Sequence, residues 1–288
     1  MGNEKKEQPG NLNWYPGHMK KTRELIEKNL KLVDAVIELV DARIPFSSRN
    51  PVIGQITGNK KRVIVLNKSD LADPAETKKW TDQIRRETGY VCAVDCRSGR
   101  GIDKLFKILQ TLQEERDAEK SMKRPLRLMV VGVPNAGKSS LINRLTGRKS
   151  ATIGNKPGVT RGKQWLTLKN GMQLLDTPGI LWPKFEDKYV GMNLAFCGSI
   201  KDEIMDLETL ALELVKVLLT DYSGLLEARY KIDAISSDGL EAMEQIGRKR
   251  GFLFSGNRIN YERTARTILD EFRAGKTGCI TLEKAGGQ

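Results

Sequence analysis

Gly132-Val133-Pro134-Asn135-Ala136-Gly137-Lys138-Ser139 is the stretch on which the fold of this 288-residue chain turns. It fits the pattern G-x-x-x-x-G-K-[ST], in which a glycine-rich loop cradles phosphate groups. The apolar run Leu126 to Val131 precedes it as a buried strand, and Leu141, Ile142 and Leu145 follow at helical spacing. Strand, glycine loop and helix form the context that turns the pattern into a site. Gly132 and Gly137 let the backbone curl so that successive N–H groups converge on one anion, and Ala136 lies between them. The following helix, opened by Lys138, Ser139 and Ser140, adds the positive end of its dipole. In this geometry Lys138 reaches the β- and γ-phosphates and the Ser139 hydroxyl faces Mg²⁺.

Two further segments indicate which base is held. Asp176-Thr177-Pro178-Gly179 follows the apolar run Met172 to Leu175. A carboxylate at that strand end holds Mg²⁺ through water, and the Gly179 N–H faces the γ-phosphate. Asn67-Lys68-Ser69-Asp70 follows the strand Val63 to Leu66. A carboxylate at Asp70 accepts from both N1–H and the 2-amino group of guanine, a donor pair that adenine lacks. The pattern N-K-x-D resembles the guanine-reading motif of translation-factor-type GTPases. Asp95-Cys96-Arg97-Ser98-Gly99-Arg100-Gly101 is similar to their last motif, whose backbone N–H meets the guanine oxygen; that family usually has Ser-Ala where this chain has Asp95-Cys96. Thr160, between the phosphate loop and Asp176, completes a Mg²⁺ shell when the γ-phosphate is present, which makes 151–162 a switch segment.

The order of these motifs is unusual. The base-reading segments at 67–70 and 95–101 precede the phosphate loop, Thr160 and Asp176, whereas ordinary GTPases run the other way. The expected fold is therefore a doubly wound α/β P-loop GTPase domain, circularly permuted, over residues 33–185. An N-terminal segment and helix over 1–32 precedes it. A linker and an all-helical C-terminal RNA-binding domain follow over 186–288. Within the last part, apolar periodicity marks helices after Leu207, over Asp238–Arg250 and over Tyr261–Arg273, with Arg263, Arg266 and Arg273 near one flank. Asn170-Gly171 signals a hairpin between two strands flanking it.

Composition bounds the partners. Net charge is +13, distributed as an excess of +15 over 1–200, −7 over 201–247 and +5 over 248–288. Such segregation suits a polyanionic partner such as RNA. No apolar run approaches the ~18 residues of a membrane span, and no signal peptide is evident. The expectation is a soluble, cytoplasmic monomer with no membrane partner. The four cysteines lack metal-ligand spacing and read as reduced and structural.

The chemistry needs a group that orients water. Many GTPases place a Gln just after the D-x-x-G motif. Here that position is Ile180, followed by Leu181 and Trp182, and an apolar side chain cannot orient water. His18, the only histidine, has the right type of side chain, with an ordinary pKa of about 6.5. Another side chain or an RNA group remains the alternative. Asn135 resembles the K⁺-coordinating Asn of potassium-activated GTPases, in which a monovalent cation takes the electrostatic part of an arginine finger.

The permuted order, Trp14-Tyr15-Pro16-Gly17-His18-Met19, Leu39-Val40-Asp41-Ala42-Arg43-Ile44-Pro45 and Phe272-Arg273-Ala274-Gly275-Lys276-Thr277-Gly278 together resemble the ribosome biogenesis GTPase A family of YlqF-type proteins. The resemblance spans about residues 11–285. It implies a cytoplasmic GTPase that acts late in maturation of the large (50S) ribosomal subunit and is stimulated by the particle. It also implies His18 as the catalytic residue and a helical C-terminal domain on rRNA and ribosomal proteins. The competing expectation is a soluble regulatory GTPase acting on tRNA or on a protein partner.

Overall fold

A computed structural model describes residues 24, 26–49, 51–58, 60–119, 123–147, 164–176, 187–202 and 205–286. Its centre is a six-stranded sheet in the order β3-β2-β1-β4-β6-β5. The strands are β1 (Ala35–Asp41), β2 (Lys61–Asn67), β3 (Tyr90–Ala93), β4 (Arg127–Gly132), β5 (Gln164–Thr167) and β6 (Gln173–Asp176). The chain starts in the middle of the sheet and winds outward through β2 and β3. It then returns beside β1 as β4 and fills the other half. All neighbours are parallel except β5 and β6, which form the antiparallel pair expected around Asn170-Gly171. The motif order along the sequence is thus matched by a reordered path through a doubly wound sheet.

Every residue of β1 is buried, as expected for a central parallel strand covered on both faces. Its odd positions Ala35, Ile37 and Leu39 join α3 (Ile102–Glu119) and α4 (Lys138–Thr146) through Leu105, Leu109, Leu141 and Leu145. On the opposite face, Val36 packs with Ile26 and Leu30 of the N-terminal helical turn and with Ile53 of α1 (Pro51–Thr57). Val40 on that face packs with Trp80 and Ile84 of α2 (Pro74–Thr88). The connector that closes the permuted path is tied down at its end: Arg124 grips Asp34 with two bonds of 2.8 and 2.9 Å, just ahead of β4 and β1 respectively.

Beyond the sheet lie α5 (Lys188–Phe196), α6 (Leu207–Tyr230), α7 (Gly239–Lys249) and α8 (Tyr261–Arg273). Three features differ from the sequence expectation. First, part of the expected linker is helix α5, whose Leu194, Ala195 and Phe196 join the same continuous core as the sheet and the later helices. Second, the C-terminal part is not wholly helical. A small ladder, β7 (Leu253–Phe254) with β8 (Arg258–Ile259), stands between α7 and α8, turned by Gly256 and Asn257 at positive φ. Third, the basic flank of α8 is not one stripe. Arg273 turns inward to the carbonyls of Phe196 (3.1 Å) and Ala195 (2.9 Å) and pairs with Asp202 at 2.8 Å. Those carbonyls end α5 and need donors, and a guanidinium fork supplies several at once.

After α8 the chain runs back across the sheet domain as an extended strap. Ile280 N–H donates to the Leu71 carbonyl at 2.9 Å, and Leu282 N–H to the Arg43 carbonyl at 2.8 Å. The Trp80 indole donates to the Glu283 carbonyl at 2.8 Å. Tyr222, at a non-helical kink inside α6, donates its hydroxyl to the Thr281 carbonyl at 2.9 Å. Among the described residues no helix is long and apolar enough to cross a membrane.

Candidate GTP site

The phosphate loop grows out of the central pair of strands. A side chain at Gly132 would collide with the Leu39 carbonyl of β1, and one at Gly137 would collide with the Asn67 amide. Both glycines are therefore dictated by close approach. Gly137 (φ 98°) is the N-cap of α4 and offers no side-chain cap, and a helix N-terminus of this kind suits an anion. Lys138, Ser139 and Ser140 occupy that turn and are partly exposed.

Asn67 joins the two halves of the site. Its Nδ2 donates to the Ala136 carbonyl in the phosphate loop at 2.7 Å, and its Oδ1 accepts from Cys96 N–H at 3.2 Å. One side chain so fixes the three motifs relative to one another. Lys68 takes a left-handed conformation (φ 58°) and its Nζ pairs with Asp41 at 2.9 Å. Ser69 N–H is held by the Val94 carbonyl at 3.1 Å, which sets the turn that presents Asp70. The Asp70 carbonyl accepts from Cys279 Sγ of the strap at 3.3 Å.

The loop at 95–101 is stiffened from within. The Asp95 carboxylate accepts from Arg97 N–H (2.7 Å) and Ser98 N–H (3.2 Å). Burial opposes ionisation of Asp95, but these bonds and the Arg100 charge hold its carboxyl below the usual range. Arg144 of α4 clips the loop through the carbonyls of Cys96 (2.8 Å) and Arg97. Asp95 N–H donates to the Arg100 carbonyl at 2.9 Å. A guanine oxygen that reaches Cys96 N–H shares that donor with Asn67.

Sequence reading took Asp41 and Arg43 only as part of the resemblance segment and gave them no role, yet they prove central. The two strand ends β1 and β2 are in register, so Asp41 stands opposite Asn67 and next to Lys68. Arg43 binds Asp41 through two atoms, at 3.0 and 2.8 Å, and its guanidinium lies 5.3 Å from the Phe272 ring centroid. Burial alone would raise the Asp41 carboxyl; Arg43 and Lys68 outweigh it and hold it far below the usual carboxylate range. The available signal was a charged pair two residues apart at the end of an otherwise apolar strand, a combination that burial tolerates only when paired.

Asn135 (φ 59°) donates its amide to the Gly198 carbonyl at 2.6 Å, so the phosphate loop touches the turn after α5. Glu283 of the strap accepts from Phe46 N–H (2.6 Å), Ser47 N–H (3.0 Å) and Asn193 Nδ2 (3.0 Å). Burial pushes its carboxyl up, and these bonds offset only part of that. Cys92, Cys96 and Cys197 are free and buried, with thiols pushed up to about 12, chiefly by burial; Cys279 is free and exposed. His18, Thr160 and Gly179, with Ile180, lie outside the described residues. Asp176 ends β6, on the strand hydrogen-bonded to β4, as the sequence places it.

With this geometry in hand, comparison with known proteins is decisive. The family described as 50S ribosome-binding GTPase matches residues 127–218. Ribosome biogenesis GTPase A of Priestia megaterium is 44% identical over 277 residues, covering 94% of this chain and 96% of that protein. The chain belongs to the ribosome biogenesis GTPase A family. Mitochondrial ribosome-associated GTPase 1 of Mus musculus is 33% identical over 293 residues, covering 94% and 90%. The crystal structure of GNP-bound YlqF from T. maritima matches 92% of this chain and 99% of its own, at 29% identity and a TM-score of 0.65. As a member of this family the chain binds guanine nucleotide and hydrolyses GTP to GDP and phosphate.

The donor set fits the nucleotide and Mg²⁺. An uncapped helix N-terminus, a lysine and a serine hydroxyl in its first turn suit phosphates and a hard cation. Ser139 would hold the Mg²⁺, whose positive charge would offset the negative charge of the phosphate oxygens. Lys138 would face the β- and γ-phosphates, from a loop whose shape Asn67 holds through the Ala136 carbonyl.

Proposed function

We propose that this GTPase is an assembly factor that acts late on the large (50S) ribosomal subunit, binding rRNA and ribosomal proteins in the GTP state and releasing them after hydrolysis. The observation that carries the reading is the double link between nucleotide motifs and C-terminal elements. Asn135 of the phosphate loop holds Gly198, and the strap after α8 holds Leu71 beside Asp70. A change at the phosphates therefore has a direct route to the helical part, through a two-state element of the kind that nucleotide switches use. The names carried by relatives in bacteria and mitochondria support the ribosome as target.

In this reading His18 orients and deprotonates the attacking water in place of the missing Gln, in a cytoplasmic monomer. Thr160 and Asp176 join Ser139 around Mg²⁺, with Asp176 acting through water. Gly179 N–H senses the γ-phosphate, and the Asn135 amide oxygen ligates K⁺. Asp70 reads guanine, Lys68 flanks the base, and Ser69 with Asp95 and Cys96 closes its far side.

The test is steady-state GTP hydrolysis in K⁺ buffer, with and without purified large subunits, for wild type and His18→Ala. Strong stimulation that vanishes in the variant while GTP binding persists is the expected result. Stimulation that survives His18→Ala moves the chemistry to another group. Absence of stimulation in both proteins would sink the ribosomal target and favour a regulatory GTPase of tRNA or a protein.

A further inference from the structure

The ladder between α7 and α8 has an unusual surface. Phe254 stands opposite Arg258 in the register, so their side chains share one face. Phe254 is 55% exposed and Leu253 is 38% exposed. The face borders a cavity of about 650 Å³ lined by Glu244, Arg248, Asn257, Ile259 and Tyr261 together with the pair. That volume suits a single nucleotide, being within the roughly 300–1,000 Å³ of small-ligand sites.

The hairpin is rigidly mounted. Phe252 N–H donates to the Gly247 carbonyl at the end of α7, and Asn260 N–H to the Phe252 carbonyl, both at 2.8 Å. Arg263 of α8 stacks 4.4 Å from the Phe252 ring centroid. Phe254 is thus presented on a fixed support.

Charge selects the occupant. Arg248 and Arg258 line the face. The acidic groups nearby are already engaged: Glu244 accepts from the Tyr261 hydroxyl at 2.5 Å and pairs with Arg248 at 2.8 Å, and Glu262 pairs with Arg266 at 3.6 Å. An exposed ring beside guanidinium groups and an Asn amide matches an unpaired base with its phosphate. A paired base within an A-form helix offers no free π-face, so duplex RNA fits poorly.

We infer that the Phe254–Arg258 face binds an unpaired nucleotide of an RNA, its base stacked on Phe254 and its phosphate held by Arg258. This rests on the RNA-binding reading given above and locates it. The experiment uses the full chain and a single-stranded oligoribonucleotide carrying 2-aminopurine, with its blunt duplex as comparison. Co-sedimentation with large subunits runs in parallel. Stacking quenches the fluorophore in the wild type, and Phe254→Tyr retains the quench. Phe254→Ala abolishes the quench and raises the dissociation constant about 5- to 100-fold. Because Phe254 is exposed, thermal unfolding stays unchanged.

Wild type that sediments with the subunit, while Phe254→Ala and Arg258→Ala bind the oligonucleotide as wild type does, overturns the site and leaves the ribosomal reading standing. Tighter binding of the duplex than of the single strand overturns the stacked base. Displacement of the oligonucleotide by polyglutamate as effective as by unlabelled RNA assigns the face to an acidic protein and overturns the inference. Wild type that binds neither oligonucleotide nor subunit overturns both.

Discussion

Asn67 donates to the Ala136 carbonyl at 2.7 Å, so the strand end that carries the N-K-x-D motif and the phosphate loop are held together by one buried side chain. Its other atom receives Cys96 N–H, which adds the third motif. Asn67→Ala leaves both Ala136 and Cys96 without their partner and lets the motifs drift apart. Affinity for GDP should fall by about tenfold or more, from two buried hydrogen bonds of roughly 1 kcal/mol each. Titration with a fluorescent GDP analogue checks this; affinity equal to wild type would sink the bridging role.

Asp70 sits in the turn fixed by Ser69 and the strap, and its carboxylate is the group proposed to read guanine. Asp70→Asn replaces one acceptor by a donor, which repels the guanine N1–H or 2-amino group and suits the 2-oxo group of xanthine. GTP affinity should drop by at least about a hundredfold while XTP affinity rises. Competition binding of the two nucleotides reads the swap, and parallel losses for both would argue for a folding defect instead.

How much was legible follows from which constraints are local. The phosphate loop could be read because Gly132 and Gly137 are forced by backbone approach, which leaves its mark on a short window. The antiparallel pair could be read because Asn170-Gly171 encodes its own turn. Helix α5 was hidden because Gly191, Asn193, Leu194, Ala195 and Phe196 are all buried, and a helix enclosed on most sides shows no amphipathic period. Arg273 was misread because a charge at the end of an amphipathic helix usually meets water, and only the fold brings the α5 carbonyls to it. The strap left no signal at all: Ile280, Thr281 and Glu283 are buried by partners some 200 residues away in the chain. Ser255-Gly256-Asn257, by contrast, was a turn signal in plain view between Leu253-Phe254 and Arg258-Ile259.

Asp41 gives an acid limb to stability. Its folded carboxyl lies far below its ordinary value because Arg43 and Lys68 face it. A depressed carboxylate contributes stability that is fully present above the unfolded value of about 4 and is lost as pH falls toward the folded one. Asp41→Asn leaves Arg43 buried and without its anion, at a cost of about 3–5 kcal/mol. Urea unfolding should therefore show a gap between wild type and variant that is widest near neutrality and narrows in acid. A gap independent of pH would mean that the charge of Asp41 is not what stabilises.

Glu283 tests whether the strap belongs to the GTP site as well as to the fold. Its carboxylate accepts from Phe46 N–H, Ser47 N–H, the Ser47 hydroxyl and Asn193 Nδ2, and so joins the segment after β1 to α5. Glu283→Ala strands these donors in a buried place and should cost about 2–4 kcal/mol in urea unfolding. Glu283→Gln restores shape but sets an NH₂ group against donors, and should recover only part. Because Ile280 and Cys279 of the same strap hold Leu71 and Asp70, loosening it should also weaken GDP binding, measured where the variant remains fully folded. Lower stability with unchanged GDP affinity would confine the strap to the fold and remove one of the two routes by which the nucleotide addresses the C-terminal helices.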